Sequence, residues 1–395
     1  MIAPAIPDPT RAQGATAAAG EARVACLDGL RGLMTILVVL SHYFGEVPHG
    51  IRAFMVGWIA VDMFFVLSGY LVGKLILEKQ HHDNFFIVFY VRRACRTLPI
   101  YFVSVVVIVT LIAVVRAPWI DADVQFPAWS YFAFTQNFFM VASNDIGAHW
   151  LSPTWTLAVE EHFYLIAPAV FFVVPRRRLA AVLVGGALAA LATRAVINDA
   201  ESINTMAALV LLPSRADVLI CGLLAALAIK SEWVPWRRLD GALRVAPLVL
   251  IVCAGAVMLA SGRHHIAAVI VPLLAASACA AFLLSLVRGA PEARRFRSRF
   301  LCFFGNTSYA VYLTHLPVLG LMHGLLLGTR PDLVSAPQWI VTLAALPVCV
   351  VVGWTLTRLV EEPLTRYGRT CAWSGRPRGA AKAPRRAQAP AVAGS

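Results

Sequence analysis

Leu30-Arg-Gly-Leu-Met-Thr-Ile-Leu-Val-Val-Leu-Ser-His42 decides how the rest of the chain is read. The stretch is apolar enough to enter a bilayer, yet it carries Arg31 at one end and His42 at the other. Eleven helical steps of about 100° bring both side chains to one face, roughly 16 Å apart at about 1.5 Å per residue. Charged and titratable side chains are costly inside a membrane and by default mark functional sites. The pair predicts a long polar ligand entering from one membrane face, with a basic or nucleophilic nitrogen waiting near the middle.

The remaining sequence agrees with a membrane setting. Of 395 residues, 59% are hydrophobic and only 14% charged, too apolar for a soluble domain of this size. Apolar runs near spanning length recur, which predicts an all-α, polytopic transmembrane helical bundle of about ten spans. Their approximate cores are 30–47, 57–77, 99–116, 154–174, 179–197, 207–229, 245–261, 266–287, 304–326 and 338–358. A net charge of +13 would suit nucleic acid, but its placement argues against that partner. Lys79, Arg92, Arg93 and Arg96, then Arg176, Arg177 and Arg178, fall in alternate loops. So do Lys230, Arg237, Arg238 and Arg244, and then Arg288, Arg294, Arg295, Arg297 and Arg299. The intervening loops hold only Arg52, Arg116, Arg263 and Arg330. By the positive-inside rule both termini are expected in the cytosol.

Residues 1–22 are Ala-, Pro- and Gly-rich and read as a disordered tail, with no cleavable signal peptide expected. Residues 23–367 form the membrane domain, and 368–395 read as a disordered basic cytosolic tail that solvates and weakly attracts anionic lipid. Eight scattered cysteines include no CxxC pair, and His81-His82 and His264-His265 are adjacent rather than four apart. Neither disulfides nor a metal site is expected.

Taken together, further motifs point to a family. Leu27-Asp-Gly-Leu-Arg-Gly32, followed by His42, resembles the opening of the acyltransferase 3 family of integral-membrane acyltransferases. The resemblance continues through Val61-Asp-Met-Phe-Phe-Val-Leu-Ser-Gly69, Arg92-Arg-Ala-Cys-Arg-Thr-Leu-Pro99 with Tyr101, and Trp155-Thr-Leu-Ala-Val-Glu-Glu-His-Phe-Tyr164. It ends with Arg215-Ala-Asp217 and Gly222, Ser308-Tyr-Ala-Val-Tyr-Leu-Thr-His315, and Glu361-Glu-Pro363. These blocks keep the family's order from about residue 24 to 366. Thr156 and Ala158 stand where serine is common, and His162 where glutamine is common. Some relatives add a soluble hydrolase-like domain, for which this chain is expected to be too short.

The resemblance implies transfer of an acyl group, usually acetyl, from cytosolic coenzyme A to an acceptor such as a sugar hydroxyl. Acetyl-CoA would be the donor co-substrate, with no metal. Arg31 suits its phosphates, because a guanidinium makes bidentate charge-assisted contacts. Arg92, Arg93 and Arg96 would add phosphate partners beside the start of a span, and Asp28 would orient Arg31 one turn away. His42 is the expected catalytic group, as a base or as an acyl carrier, since imidazole titrates ordinarily near about 6.5. Glu160 and Glu161 begin a span near the outer face and point about 100° apart. One is expected to meet acceptor hydroxyls and the other to cap a helix or pair with Arg215. Asp62, Trp155, Tyr164, Arg215 and His315 are further candidates for substrate contact, and Tyr309 for the cavity wall. Asp62 and His315 could equally serve as interhelical polar contacts. Trp129, Tyr131, Phe132, Phe134, Phe138 and Phe139 would form an interfacial belt or a sugar-stacking surface.

These readings predict an O-acetyltransferase of the bacterial inner membrane acting on a cell-envelope polysaccharide or lipid-linked glycan. A secreted glycosylated metabolite such as a macrolide is the alternative acceptor, and a transporter or flippase the alternative class. Expected partners are membrane lipid and a sugar-containing acceptor; a homo-oligomer is compatible with the sequence.

Overall fold

A computed structural model describes residues 9–120, 124–199, 204–260 and 264–375. The helices are α1 (Pro9–Phe44), α2 (Gly57–Lys79), α3 (Phe85–Val115), α4 (Ala128–Phe132) and α5 (Gln136–Ser143). Then come α6 (Thr154–Val173), α7 (Arg176–Asp199), α8 (Thr205–Val210), α9 (Leu212–Ile229) and α10 (Trp236–Ala260). The chain continues through α11 (His264–Val287), α12 (Arg299–Asn306), α13 (Ser308–Leu327), α14 (Ala336–Leu356) and α15 (Glu362–Thr370). Among the described residues there are no strands, and ten helical segments are long and apolar enough to cross a membrane. The molecule is a multi-pass membrane protein. Each expected span corresponds to one of the ten.

Boundaries differ in instructive ways. The third span starts at Phe85 rather than near Pro99, so Arg92, Arg93 and Arg96 lie inside α3 and not in a loop before it. Pro99 is an interior proline, as are Pro168, Pro247, Pro272, Pro317 and Pro347 in other crossing helices. Neighbouring helices and local adjustments can satisfy the carbonyls that such prolines free. Helix α1 begins at Pro9, within the stretch read as a tail, while residues 1–8 lie outside the described residues. At the other end, Cys371–Gly375 is folded against α3. Trp373 stacks 5.9 Å from Phe85, and Asn84 Nδ2 donates to Ala372 O at 2.9 Å. Residues 376–395 lie outside the described residues.

Between helices in lipid, close packing and polar contacts replace the hydrophobic drive. At the α2–α9 crossing, a Cβ on Gly69 would come within 2.0 Å of Leu219 O, and one on Gly222 within 2.1 Å of Val66 O. Helices α1 and α12 approach as closely at Gly32, where a Cβ would stand 1.9 Å from Leu301 O. Helix α13 is the most enclosed crossing segment, with 67% of its apolar window buried, against 6% for α10. The candidate site residues of α13 therefore face other helices, while α10 belongs to the periphery.

Candidate active site

Arg31 sits on the inner face of α1, with Nη1 3.8 Å from Asp28 Oδ1. It is also within electrostatic reach of Arg96 on α3 and of Glu160 and Tyr164 on α6. The Arg93 guanidinium carbon lies 3.4 Å from the centre of the Tyr164 ring, a cation–π contact. Tyr164 donates its hydroxyl proton to Glu160 Oε2 at 2.7 Å, so Ser68, 2.5 Å away, is the donor to Tyr164. Thr97 Oγ1 lies 3.2 Å from Glu161 Oε1 and 3.1 Å from Arg93 O, one hydroxyl serving two acceptors. Tyr309 donates to Thr97 O at 3.0 Å.

Both glutamates join this chamber, a cluster of charged and hydroxyl side chains, although they point apart on α6. Glu160 turns toward Arg31 and Tyr164, and Glu161 toward Arg93 and Thr97. They lie two turns inside α6 rather than at its start. Glu361, from a π-helical turn at Thr357–Glu361 that joins α14 to α15, is within electrostatic reach of Arg31 and Arg96. The Glu-Glu-Pro motif carried it, but no role was read for it. Such turns are frequent at functional sites. Arg93 Nε and Glu361 Oε2 are buried without hydrogen-bond partners.

Arg92 is directed elsewhere. Its Nε donates to Cys371 O at 3.0 Å and its Nη2 to Arg369 O at 3.3 Å, with Trp373 5.3 Å from its guanidinium carbon. It secures the C-terminal segment instead of joining Arg31.

Asp62 and Arg215 are paired with each other across α2 and α9, not with the glutamates of α6. Asp217 pairs with Arg194 of α7, and Asp62 is within electrostatic reach of both. Two acids and two bases thus neutralise one another in a buried seam, where an unpaired charge would be expensive. Trp155 packs edge-on against Phe65 at 5.8 Å, and its carbonyl accepts from Asn137 Nδ2 at 3.0 Å. Asp62 and Arg215 thus belong to the seam, and Trp155 packs on Phe65, whose ring centre lies 5.7 Å from the Arg215 guanidinium carbon. Arg194 was missed by sequence reasoning, though a lone Arg in an apolar span met the rule that singled out Arg31.

At the other end, His42 lies in the last turn of α1, not near the middle of a span, because the helix stops at Phe44. Its Nδ1 is 2.9 Å from Glu46 Oε2, an ion-pair distance that falls short of ideal hydrogen-bond alignment. Burial would raise the Glu46 carboxyl, but the contact with His42, aided by His149 and Ser41, holds it below its ordinary range. The His42 ring lies 4.9 Å from that of His315, which is fully buried. His315 Nδ1 is 2.7 Å from Tyr312 O, and its Nε2 has no hydrogen-bond partner. His149, in a short 3-10 turn before α6, is within electrostatic reach of Glu46 and His315. Sequence reading missed Glu46 and His149. Among the described residues, no three His, Cys, Asp or Glu side chains are grouped to hold a metal ion.

Tyr312 connects the two ends. Its ring is 5.8 Å from His315, its hydroxyl is 3.0 Å from Thr156 Oγ1, and it is within electrostatic reach of both Glu160 and Glu46. Tyr312 thus reaches toward both the Arg31 end and the His42 end of α1. Of the aromatics between residues 129 and 139, Tyr131 is buried, with Tyr101 donating to its carbonyl at 2.9 Å, while Trp129 and Phe138 are exposed.

Over residues 24–358 the chain matches the family model described as an acyltransferase domain. It is 27% identical to the peptidoglycan O-acetyltransferase OatA of Listeria monocytogenes, the match covering 87% of this chain and 56% of that protein. Identity to YrhL of Bacillus subtilis is 26%, over 87% of this chain and 55% of that one. The O-acetyltransferase OatA of Staphylococcus aureus is 29% identical over 36% of this chain and 24% of its own. The chain spans about half the length of the first two. No solved structure matches it. With the family model covering nearly all of the membrane bundle, the chain belongs to the acyltransferase 3 family.

Proposed function

We propose that the protein is an O-acetyltransferase of the bacterial cytoplasmic membrane that moves an acetyl group from cytosolic acetyl-CoA to a sugar hydroxyl of the cell envelope. Peptidoglycan is the leading acceptor, because a relative matched over most of this chain is a peptidoglycan O-acetyltransferase. Both termini lie in the cytosol in this reading, so Arg31 faces the donor.

One observation carries the proposal. A single helix holds Arg31 in a charged chamber and His42 beside a second histidine and a carboxylate, about 16 Å apart at 1.5 Å per residue. That span matches an extended thioester arm with an anionic end. Arg31, Arg93 and Arg96 would take the phosphates, and the partnerless Arg93 Nε supports that fit. Glu160 and Glu361 balance the arginines' charge. His42 takes the acceptor's proton as the hydroxyl attacks the thioester.

The test is to express the chain, or its His42→Ala variant, in a bacterial host and determine the mass of isolated peptidoglycan fragments. Acetylated fragments that appear only with the unmodified chain support the proposal. Movement of an envelope precursor without any acyl chemistry would replace it with the transporter reading.

A further inference from the structure

Two imidazoles face each other at the His42 end, and their surroundings differ. His315 Nδ1 lies against a backbone carbonyl, which can only accept, so this nitrogen carries the proton and Nε2 is bare in the neutral ring. Among the described residues, no carboxylate contacts His315. His42 has one: Glu46 Oε2 at 2.9 Å from Nδ1.

The position of Glu46 is built by the backbone. Gly45 N and Glu46 N both donate to Ser41 O, at 2.7 and 2.9 Å, and Ile51 N donates to Phe44 O at 2.6 Å. A Cβ on Gly45 would stand 2.8 Å from Ser41 O and 3.1 Å from Met55 N, so the turn closes tightly at a glycine. The chain thereby doubles back just past α1 and returns Glu46 to the imidazole one turn earlier. Ser41 Oγ adds a 3.4 Å contact to Glu46 Oε1.

We propose that Glu46 is a positioning residue for His42: its carboxylate holds Nδ1–H and leaves Nε2 bare to receive the acceptor's proton. This deepens the acyl-transfer reading and rests on it. In the step, the acceptor O–H gives its proton to His42 Nε2 while its oxygen bonds to the thioester carbonyl carbon. The C–S bond then breaks with its electron pair on sulfur, and Nε2 returns the proton to the thiolate. An ionised Glu46 favours the imidazolium formed midway, as a carboxylate does behind a catalytic histidine. Two further imidazoles stand beside this pair among the described residues: His315 on α13, 4.9 Å from the His42 ring, and His149 before α6, within electrostatic reach of Glu46 and His315.

The test compares wild type, Glu46→Gln and Glu46→Asp in purified membranes with acetyl-CoA across pH. Glu46→Gln should lower kcat by up to about 10⁴-fold, the loss when the carboxylate behind a catalytic histidine becomes an amide, and leave KM for the donor unchanged. Its acid limb should move to lower pH, because the imidazolium loses its counter-charge; Glu46→Asp should keep the limb near wild type. An unmoved limb with wild-type kcat overturns the proposal. If wild type transfers nothing, the acyl-transfer reading fails, and Glu46 is judged by a second measurement. The pH midpoint for modification of His42 by diethylpyrocarbonate, read by peptide mass, should fall in Glu46→Gln; an unchanged midpoint overturns the pairing.

Discussion

Replacing Asp62 with Asn separates a structural role for the buried charge seam from a substrate role. Asp62 and Arg215 side chains are only 11% and 7% exposed, so solvent screens their interaction little. With Arg194 and Asp217 they make a neutral set of four, and the substitution leaves it at a net charge of +1. Breaking one side of a buried pair costs about 3–5 kcal/mol, because the remaining charge is uncompensated. Insertion scales for a lone Arg at a helix centre give about 2.5–3.5 kcal/mol. We expect roughly 3 kcal/mol, read as a fall of several degrees in the thermal unfolding midpoint of the detergent-solubilised protein. The double variant Asp62→Asn with Arg215→Gln restores neutrality and should lose far less than the sum of the single changes. It should also keep acetyl transfer close to wild type, since the seam does not contact Arg31 or His42. A double variant that is stable yet inactive would refute this reasoning and return both residues to substrate binding.

Other expectations follow from placement. Arg31→Ala should raise KM for acetyl-CoA by one to two orders of magnitude, as charge-assisted bonds of about 1.5–3 kcal/mol are lost. Arg92→Ala should leave that KM unchanged and instead expose the 371–375 segment to protease. An equal rise in both variants would contradict the separation of the two arginines. Gly32→Ala would press a methyl into Leu301 O at 1.9 Å, forcing α1 from α12 and costing about 1–3 kcal/mol, checked by thermal unfolding.

Much of this architecture was legible from residue patterns, and the misses have physical causes. Apolar length located all ten spans, because the bilayer fixes how long a spanning helix must be. The start of α3 was placed too late, since three arginines in five residues resemble a loop when counted as charges. In the fold, Arg92 reaches backbone carbonyls and Arg93 lies over Tyr164, so those charges sit on a helix. The Arg31 chamber was partly readable from period and motif, but Glu361 comes from more than 300 residues away and only packing brings it there. Glu46 lay four residues beyond His42 inside the expected span 30–47, so helical spacing already offered the pair; in the fold α1 ends at Phe44 and a tight turn keeps the two in contact. The pairing of Arg215 with Asp62 instead of one of the α6 glutamates is a long-range choice that no local spacing encodes.

In the proposed reaction, His42 at the end of α1 acts on an acyl group delivered past Arg31. The most direct measurement supplies acetyl-labelled acetyl-CoA and an envelope acceptor to membranes bearing wild type or His42→Ala at equal levels. Labelled acceptor is expected with wild type alone, with free coenzyme A released in step with it. Equal labelling by the two proteins would contradict that role for His42.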